Sequence, residues 1–244
     1  IIRKSKKNPT IFIKSTVVPG TTQDVISPIL EKTSGKKANI DFGLISNPEF
    51  LQESNAIRDT KYPHVIILGG KQTKYMKKAK MFFSKMHPNV PIVITNFQTA
   101  EMIKYANNSF LATKISFINQ LSNICQNIPG TNIDDIAKII GLDSRIGKLF
   151  LNAGPGYGGA CLPKDVSALI KFSDKIGVKP ILLSAVEKTN REQMNNIISL
   201  MKKILGGITS KRITILGTAF KPNTDDVRDS KSIELIKKLL KNKA

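Results

Sequence analysis

Thr10-Ile-Phe-Ile-Lys-Ser-Thr-Val-Val-Pro-Gly-Thr-Thr, residues 10–22, reads as a strand that runs into a turn and then a helix near 21–33. Pro19 and Gly20 are the residues that break the strand and set the turn. Working outward, Phe42-Gly-Leu-Ile-Ser, His64-Val-Ile-Ile-Leu-Gly-Gly and Pro91-Ile-Val-Ile-Thr are further short apolar strand candidates, and 73–86 reads as a helix. Strands alternating with helices predict a parallel sheet, so the fold class over residues 1 to about 95 is α/β.

From about 98 to 205 the pattern turns helical. Residues 99–127 form the longest periodic stretch, with Ile103, Phe110, Phe117, Leu121 and Ile124 at helical spacing. Further helices are expected over 131–141, 163–177 and 180–205. Arg212-Ile-Thr-Ile-Leu-Gly then returns to strand, followed by a loop to about 229 and a helix to the end. The chain begins without methionine, partway into an α/β domain that lacks a phosphate loop, and stops one strand and one helix into a second. A piece cut at both ends is expected, divided at 1–97, 98–208 and 209–244.

A length of 244 residues and a hydrophobic content of 41% give ample core for one large domain or two. The longest apolar runs, such as Val65-Ile-Ile-Leu, are far too short to span a bilayer. Residues 1–7 are basic, but no apolar segment follows, so no secretory signal is read. Two cysteines point to a reducing, cytoplasmic setting. The formal charge of +20 invites a polyanion partner. However, lysine is scattered among many Asn and Ile residues, without basic-aromatic interleaving, zinc spacing or a recognition-helix signature. Compositional drift accounts for that pattern; a nucleic-acid partner is not expected, whereas anionic small molecules suit the charge. His64 and His87 have no ligand-like neighbours, and no metal site is read.

Chemistry concentrates in Gly156-Tyr-Gly-Gly-Ala-Cys-Leu-Pro-Lys-Asp165. Three glycines let backbone approach a bulky ligand. Pro163 suits the first turn of a helix, which puts Cys161 just before a helix N-terminus with Lys164 nearby, a setting that favours thiolate over thiol. Asp165, four residues on, can orient a water or exchange a proton. A lone cysteine is more often a small buried hydrophobe, and Cys125, in a helical run without glycine or flanking charge, is assigned to packing. Gly154-Pro-Gly-Tyr-Gly-Gly159 also fits the dinucleotide fingerprint, but that motif needs a strand before it. Leu149-Phe-Leu-Asn-Ala is too short and isolated to be that strand, and Pro155 removes an amide.

Three more constellations stand out. In Asn47-Pro-Glu-Phe-Leu-Gln-Glu-Ser, Glu49 and Glu53 share a face if a helix starts at Pro48. Lys104 and Asn108 share a face of the long helix. Ala219-Phe-Lys-Pro-Asn-Thr-Asp-Asp-Val-Arg-Asp-Ser follows a strand directly, where α/β proteins bind ligands, and Lys221 and Arg228 could hold phosphates or merely solvate a loop.

In this order, Ser15-Thr16-Val-Val-Pro-Gly, Asn-Pro-Glu-Phe-Leu, Lys104 to Asn108, Arg145-Ile-Gly, the Cys161 loop and Phe-Lys-Pro-Asn-Thr-Asp-Asp-Val-Arg closely resemble the nucleotide-sugar 6-dehydrogenases of the UDP-glucose/GDP-mannose dehydrogenase family, their UDP-glucose branch above all. The resemblance implies two Rossmann-like domains joined by a long helix that forms the core of a homodimer. NAD would lie on the first domain and a UDP-sugar mainly against the second. It implies four-electron oxidation of UDP-glucose to UDP-glucuronate through a thiohemiacetal and a thioester on Cys161. Lys104 and Asn108 would stabilise oxyanions, Asp165 would position water, and Glu49 would act as a second acid/base group. Ser15, Thr16, Glu53, Lys164 and Arg228 match cofactor positions. Glu49, Glu53, Lys104, Asn108, Arg145 (across the dimer), Asn152, Gly156, Tyr157, Gly158, Phe220 and Lys221 match substrate positions. Ala160 stands where many relatives have Ser, and Leu162-Pro163 resembles GDP-mannose enzymes as much as UDP-glucose ones. Rival readings are a two-electron β-hydroxyacid dehydrogenase, which needs no cysteine, and a non-catalytic scaffold or nucleic-acid binder. No turnover is expected from residues 1–244 alone.

Overall fold

A computed structural model describes residues 2–5 and 7–244, which form two compact units, one to Ala106 and one from Asn107. In the first, β1 (Thr10–Ile13), β2 (Gly43–Ser46), β3 (Ile66–Gly69) and β4 (Ile92–Thr95) form one sheet in the order β1-β2-β3-β4. The β1–β2 and β3–β4 ladders are parallel, as expected. The β2–β3 seam is antiparallel and consists of the single pair Ser46↔Gly69. Continuously apolar strands read the same in either direction, so this reversal has no signature in the strand sequences.

β2 and β3 are buried along their whole length, β1 is half-buried and β4 leaves Val93 exposed, so the apolar runs follow the covered middle of the sheet. Successive side chains of β2 point to opposite faces. Ile45 packs with Ile66, Leu68, and Met76 and Ala79 of α3 (Lys74–Met86). Leu44 packs on the other side with Phe42, Phe97 and, at its edge, Leu30 of α1 (Ser27–Ser34). The helix expected at 21–33 is two pieces: a π-helical turn over Thr21–Ile26 that continues as α1. Its start is fixed by Glu101, whose buried carboxylate accepts the Gly20 amide at 2.7 Å and the Thr22 amide at 2.8 Å.

No helix starts at Pro48. The chain stays irregular to Asn55, and only α2 (Ala56–Lys61) is helical. Two local features prevent the earlier start. The Glu49 carboxylate turns back to accept the Leu51 amide, and Ser54 takes a left-handed φ of 71°. Glu49 and Glu53 therefore do not share a helical face.

The 29-residue α4 (Phe97–Cys125) passes from the first unit into the second. There follow α5 (Ile133–Ile140), capped by the Asn132 side chain, α6 (Leu162–Lys175), α7 (Ile181–Leu205) and α8 (Lys231–Lys241), capped by Ser230. Ala112, Tyr157, Val166 and Val186 form one core of this unit; Ile198, Ile208 and Leu239 form another. Residues 211–217 carry no β-ladder, contrary to the expected strand. A strand needs a partner for its backbone groups, and among the described residues no other strand lies in this unit; Ile213 and Ile215 pack instead against the second core. No helix among the described residues is long and apolar enough to cross a membrane.

Candidate active site

Chemistry-bearing side chains gather in two places, one in each unit. In the first unit they collect where β1 and β2 end. Lys104 is buried on α4, 5% exposed, with its ammonium 3.7 Å from Glu49 Oε1 and 5.3 Å from the centre of the Phe50 ring. A buried ammonium needs such partners, since an unpaired one would be costly. His64 stacks edge-on against the other member of this wall, Phe50, at 5.2 Å. Ser15 lies exposed and Thr16 half-buried just past β1, and Glu53 sits in the turn before α2.

Lys14 was missed in the motif reading. Its ammonium donates to Asn47 Oδ1 at 3.0 Å. Asn47 is itself buried and fully engaged: its amide donates to the Ile13 carbonyl at 2.8 Å, and its Nδ2 donates to the Ile67 carbonyl at 2.8 Å. Through its main-chain amide and its side chain, Asn47, directly after β2, thus ties β1 and β3 together where the β2–β3 ladder is thinnest. Burial of its ammonium end lowers the Lys14 pKa, and the Glu49 carboxylate opposes that shift.

The second cluster is in the second unit. Cys161 caps α6, is exposed and unpaired, and Pro163 occupies the first turn of the helix. One turn on, Asp165 is 1% exposed and sits at the centre of a polar group. Its Oδ2 accepts Asn108 Nδ2 at 2.6 Å, and its Oδ1 lies 2.8 Å from the ammonium of half-exposed Lys164. Cys125, by contrast, is half-buried at the end of α4, in keeping with a packing role.

Between α5 and α6 the Gly154–Gly159 segment follows no strand, as expected from Leu149-Phe-Leu-Asn-Ala. Beside Gly156, Gly158 and Gly159 the space that a side chain would take is filled by other parts of the protein, a packing reason for glycine that the sequence alone does not show. A methyl group at Gly158 would overlap the Asp229 carbonyl oxygen, one at Gly159 would lie 2.6 Å from the Phe220 ring, and one at Gly156 would strike the Asn190 side chain. Gly156 and Gly159 also have positive φ, of 102° and 80°. Three amides latch the loop. Asn119 Oδ1 accepts the Gly154 amide at 2.7 Å, and Gln193 Nε2 donates to the Gly154 carbonyl at 2.9 Å. Asn190 takes both backbone groups of Tyr157, accepting its N–H at 2.8 Å and donating to its carbonyl at 3.0 Å. The only sequence trace of these latches is two amides three residues apart on one face of α7.

The remaining candidates lie at the surface or in loops. Arg145 is exposed and forms a bidentate pair with Asp143, while Asn152 is exposed in the loop. Lys221 lies 5.8 Å from the centre of the Phe220 ring, and Arg228 pairs bidentately with Asp226. The Arg228 carbonyl accepts the Gly159 amide at 3.0 Å, so the 220–229 segment and the glycine loop are joined through backbone as well.

Three sequence models of one family match the chain in series. They are the NAD binding domain of the UDP-glucose/GDP-mannose dehydrogenase family over residues 1–87, its central domain over 98–192 and its UDP binding domain over 214–244. The UDP-glucose 6-dehydrogenase AglM of Haloferax volcanii is 44% identical over 233 residues, 94% of this chain and 54% of that protein. A UDP-glucose 6-dehydrogenase of Rickettsia felis is 41% identical over 237 residues, 96% and 51% of the two chains. Among solved structures, a UDP-glucose dehydrogenase from the hyperthermophilic archaeon Pyrobaculum islandicum superposes with a TM-score of 0.90 at 35% identity, covering all of this chain and 55% of that one. The chain spans about half the length of the curated relatives it matches.

Proposed function

We propose that this chain, which belongs to the UDP-glucose/GDP-mannose dehydrogenase family, carries the reacting side chains of an NAD-dependent UDP-glucose 6-dehydrogenase. The observation that carries the reading is the Cys161 cluster. An exposed thiol at a helix N-terminus stands one turn from a buried carboxylate that Asn108 and Lys164 hold in place. A packing cysteine needs none of these.

Ser15 and Thr16, past the end of β1, offer hydroxyls suited to the polar nicotinamide end of NAD. When bound, NAD would supply the acceptor for both hydrides. The residues of the chain do the rest. Between the two oxidations Cys161 Sγ bonds C6 of the aldehyde, and Lys104 stabilises the oxygen that becomes negative. After the second oxidation a water oriented by Asp165 and Asn108 attacks the thioester. The C6–S bond breaks, sulfur leaves as thiolate and the product is a carboxylate. Glu49, paired with Lys104, is placed to accept a proton when that ammonium engages the oxyanion.

The three matched segments support reading residues 1–97 as the later part of the cofactor domain, 98–208 as the central helical domain and 209–244 as the start of the nucleotide domain. A homodimer through α4 is supported by Phe110, Phe117 and Ile124, which recur every seven residues and are 63%, 50% and 49% exposed. The setting is cytoplasmic, in keeping with two free cysteines.

The test is stoichiometric. In a full-length protein containing this sequence, two NADH per UDP-glucose are expected, and Cys161→Ser stops before the acid. Retention of two NADH per sugar by that variant defeats the covalent mechanism. One NADH per sugar in the unsubstituted protein favours the two-electron rival.

A further inference from the structure

Lys104 is held in an unusual way for a paired lysine. Its side chain is 6% exposed, yet the Glu49 oxygen stands 3.7 Å from the ammonium, an ion-pair distance too long for a hydrogen bond. The ammonium also lies over the Phe50 ring, 5.3 Å from its centre. Both partners come from one irregular stretch. Pro48 has no backbone N–H, the Glu49 carboxylate turns back onto the Leu51 amide, and the chain does not become helical until Ala56. Phe50 follows Glu49 directly, so one short turn brings a carboxylate and an aromatic ring to the same ammonium. The ring is itself held: His64, just before β3, meets it edge-on at 5.2 Å and 67°. Although half-buried, Phe50 belongs to neither apolar core of the first unit among the described residues. A phenylalanine that served packing alone would be expected in one of them.

We propose that Phe50 is a positioning residue of this site: the face of its ring, steadied by His64, holds the Lys104 ammonium charged and short of a hydrogen bond to Glu49, so that its donors stay available to an anionic oxygen. The proposal rests on the reading of Lys104 as the group that meets the oxyanion. The two partners act differently on a buried ammonium. A carboxylate stabilises it by cancelling its charge and, once within about 3 Å, by taking up one of its N–H donors. An aromatic face stabilises it through the ring quadrupole, which adds no opposing charge. With the ring in place the ammonium is shared between the two. Without it, Glu49 is the partner that remains, and the ammonium closes the gap to it. A tight pair has less positive field to offer when charge develops on a substrate oxygen.

Isosteric replacement separates this electronic role from shape. In a full-length protein containing this sequence, Phe50 is replaced by mono-, di- and trifluorophenylalanine, whose fluorines draw electron density from the ring face step by step and hardly change its size. Across that series kcat is expected to fall stepwise, about 2- to 30-fold in all, the range that a cation–π contact spans. KM for UDP-glucose should change less than about three-fold, since the effect is felt in the transition state. Phe50→Tyr, which keeps the face, is expected to retain most of the rate, and Phe50→Leu to lose at least as much as the trifluoro protein. A second readout needs no turnover. Isothermal calorimetry without NAD compares UDP-glucuronate, whose C6 is a carboxylate, with UDP-glucose, whose C6 is neutral. Affinity for the acid should weaken about 2- to 30-fold along the series, while that for the alcohol holds within about three-fold. A kcat or an acid affinity that stays level through the series overturns the proposal, because the ring then acts by shape alone. So does a KM that rises while kcat holds, which would make Phe50 a ligand contact. Lys104→Met and Cys161→Ser in the same assay separate the two ideas. If they abolish acid formation while the fluorinated series stays level, only the Phe50 proposal falls; if they too remain active, the dehydrogenase reading falls with it.

Discussion

Asn190→Ala removes two hydrogen bonds at once, and both of its partners are main-chain atoms of Tyr157, a residue 4% exposed. Each buried backbone group left without a partner costs about 1–3 kcal/mol, which sets a range of about 2–6 kcal/mol. The surroundings decide where in that range the loss falls. A cleft of about 410 Å³ borders both residues, so water can reach the vacated site and hydrate part of what is lost. The expected destabilisation is therefore near the low end, about 2–3 kcal/mol. For a unit of 138 residues (107 to 244), at about 3–5 °C per kcal/mol, the Tm of its transition falls by about 6–15 °C. Differential scanning calorimetry of the two proteins reads this directly. Asn190→Asp sharpens the test, since it keeps an acceptor for the Tyr157 amide but sets a carboxylate oxygen against the Tyr157 carbonyl; it is expected to be no better than alanine. An Asn190→Ala protein within about 2 °C of the unsubstituted one refutes the view that this amide holds the loop.

Glycine replacements in the same loop should separate sharply. Gly158→Ala collides with the Asp229 carbonyl and is expected to cost at least about 1–3 kcal/mol in urea unfolding, whereas Gly154→Ala, with no atom within 4 Å of its methyl, should be neutral within about 1 kcal/mol. Similar costs for the two would refute the packing argument. Tyr157 is pushed up to about 12, first by burial and then by Glu187. A phenol with a raised folded-state pKa keeps its full contribution below the unfolded value near 10 and loses it as pH climbs toward 12. The expected loss across that window is about 2–3 kcal/mol, and Tyr157→Phe should remove it; equal alkaline profiles for the two proteins would exclude Tyr157 as the cause. Glu101→Gln can accept through only one oxygen, so either the Gly20 or the Thr22 amide loses its bond, and faster hydrogen exchange is expected at that amide and over Thr21–Ile26. Unchanged exchange would show that the turn holds itself.

Long helices were legible because periodicity and caps agree over many residues. The segments read at 73–86, 99–127 and 180–205 are helical within about two residues of those limits. The four strands were legible from their apolar runs, but the direction of the β2–β3 seam was not, since it hangs on one residue pair and on Asn47. Pro48 read as a helix start because proline suits a first turn; the tertiary use of the Glu49 carboxylate overrode that local preference. Residues 212–217 read as a strand because the side chains are right, yet strand formation depends on a neighbour that side chains do not encode. In the candidate site, motif residues close in sequence, Cys161 to Asp165 on α6, were visible as a group. Lys14, Asn119, Asn190 and Gln193 were not, because each acts across 33 to 39 positions of chain and leaves only an ordinary polar letter behind.

The interlock between Gly158, Gly159 and the stretch from Phe220 to Asp229 has a bearing on any attempt to resequence the loop. Neither strip can be redrawn alone, since a bulkier residue at Gly158 demands a retreat of the Asp229 main chain and one at Gly159 a retreat of the Phe220 ring. A graft would have to transplant both strips from a single donor, and drift in either should leave matched substitutions in its counterpart.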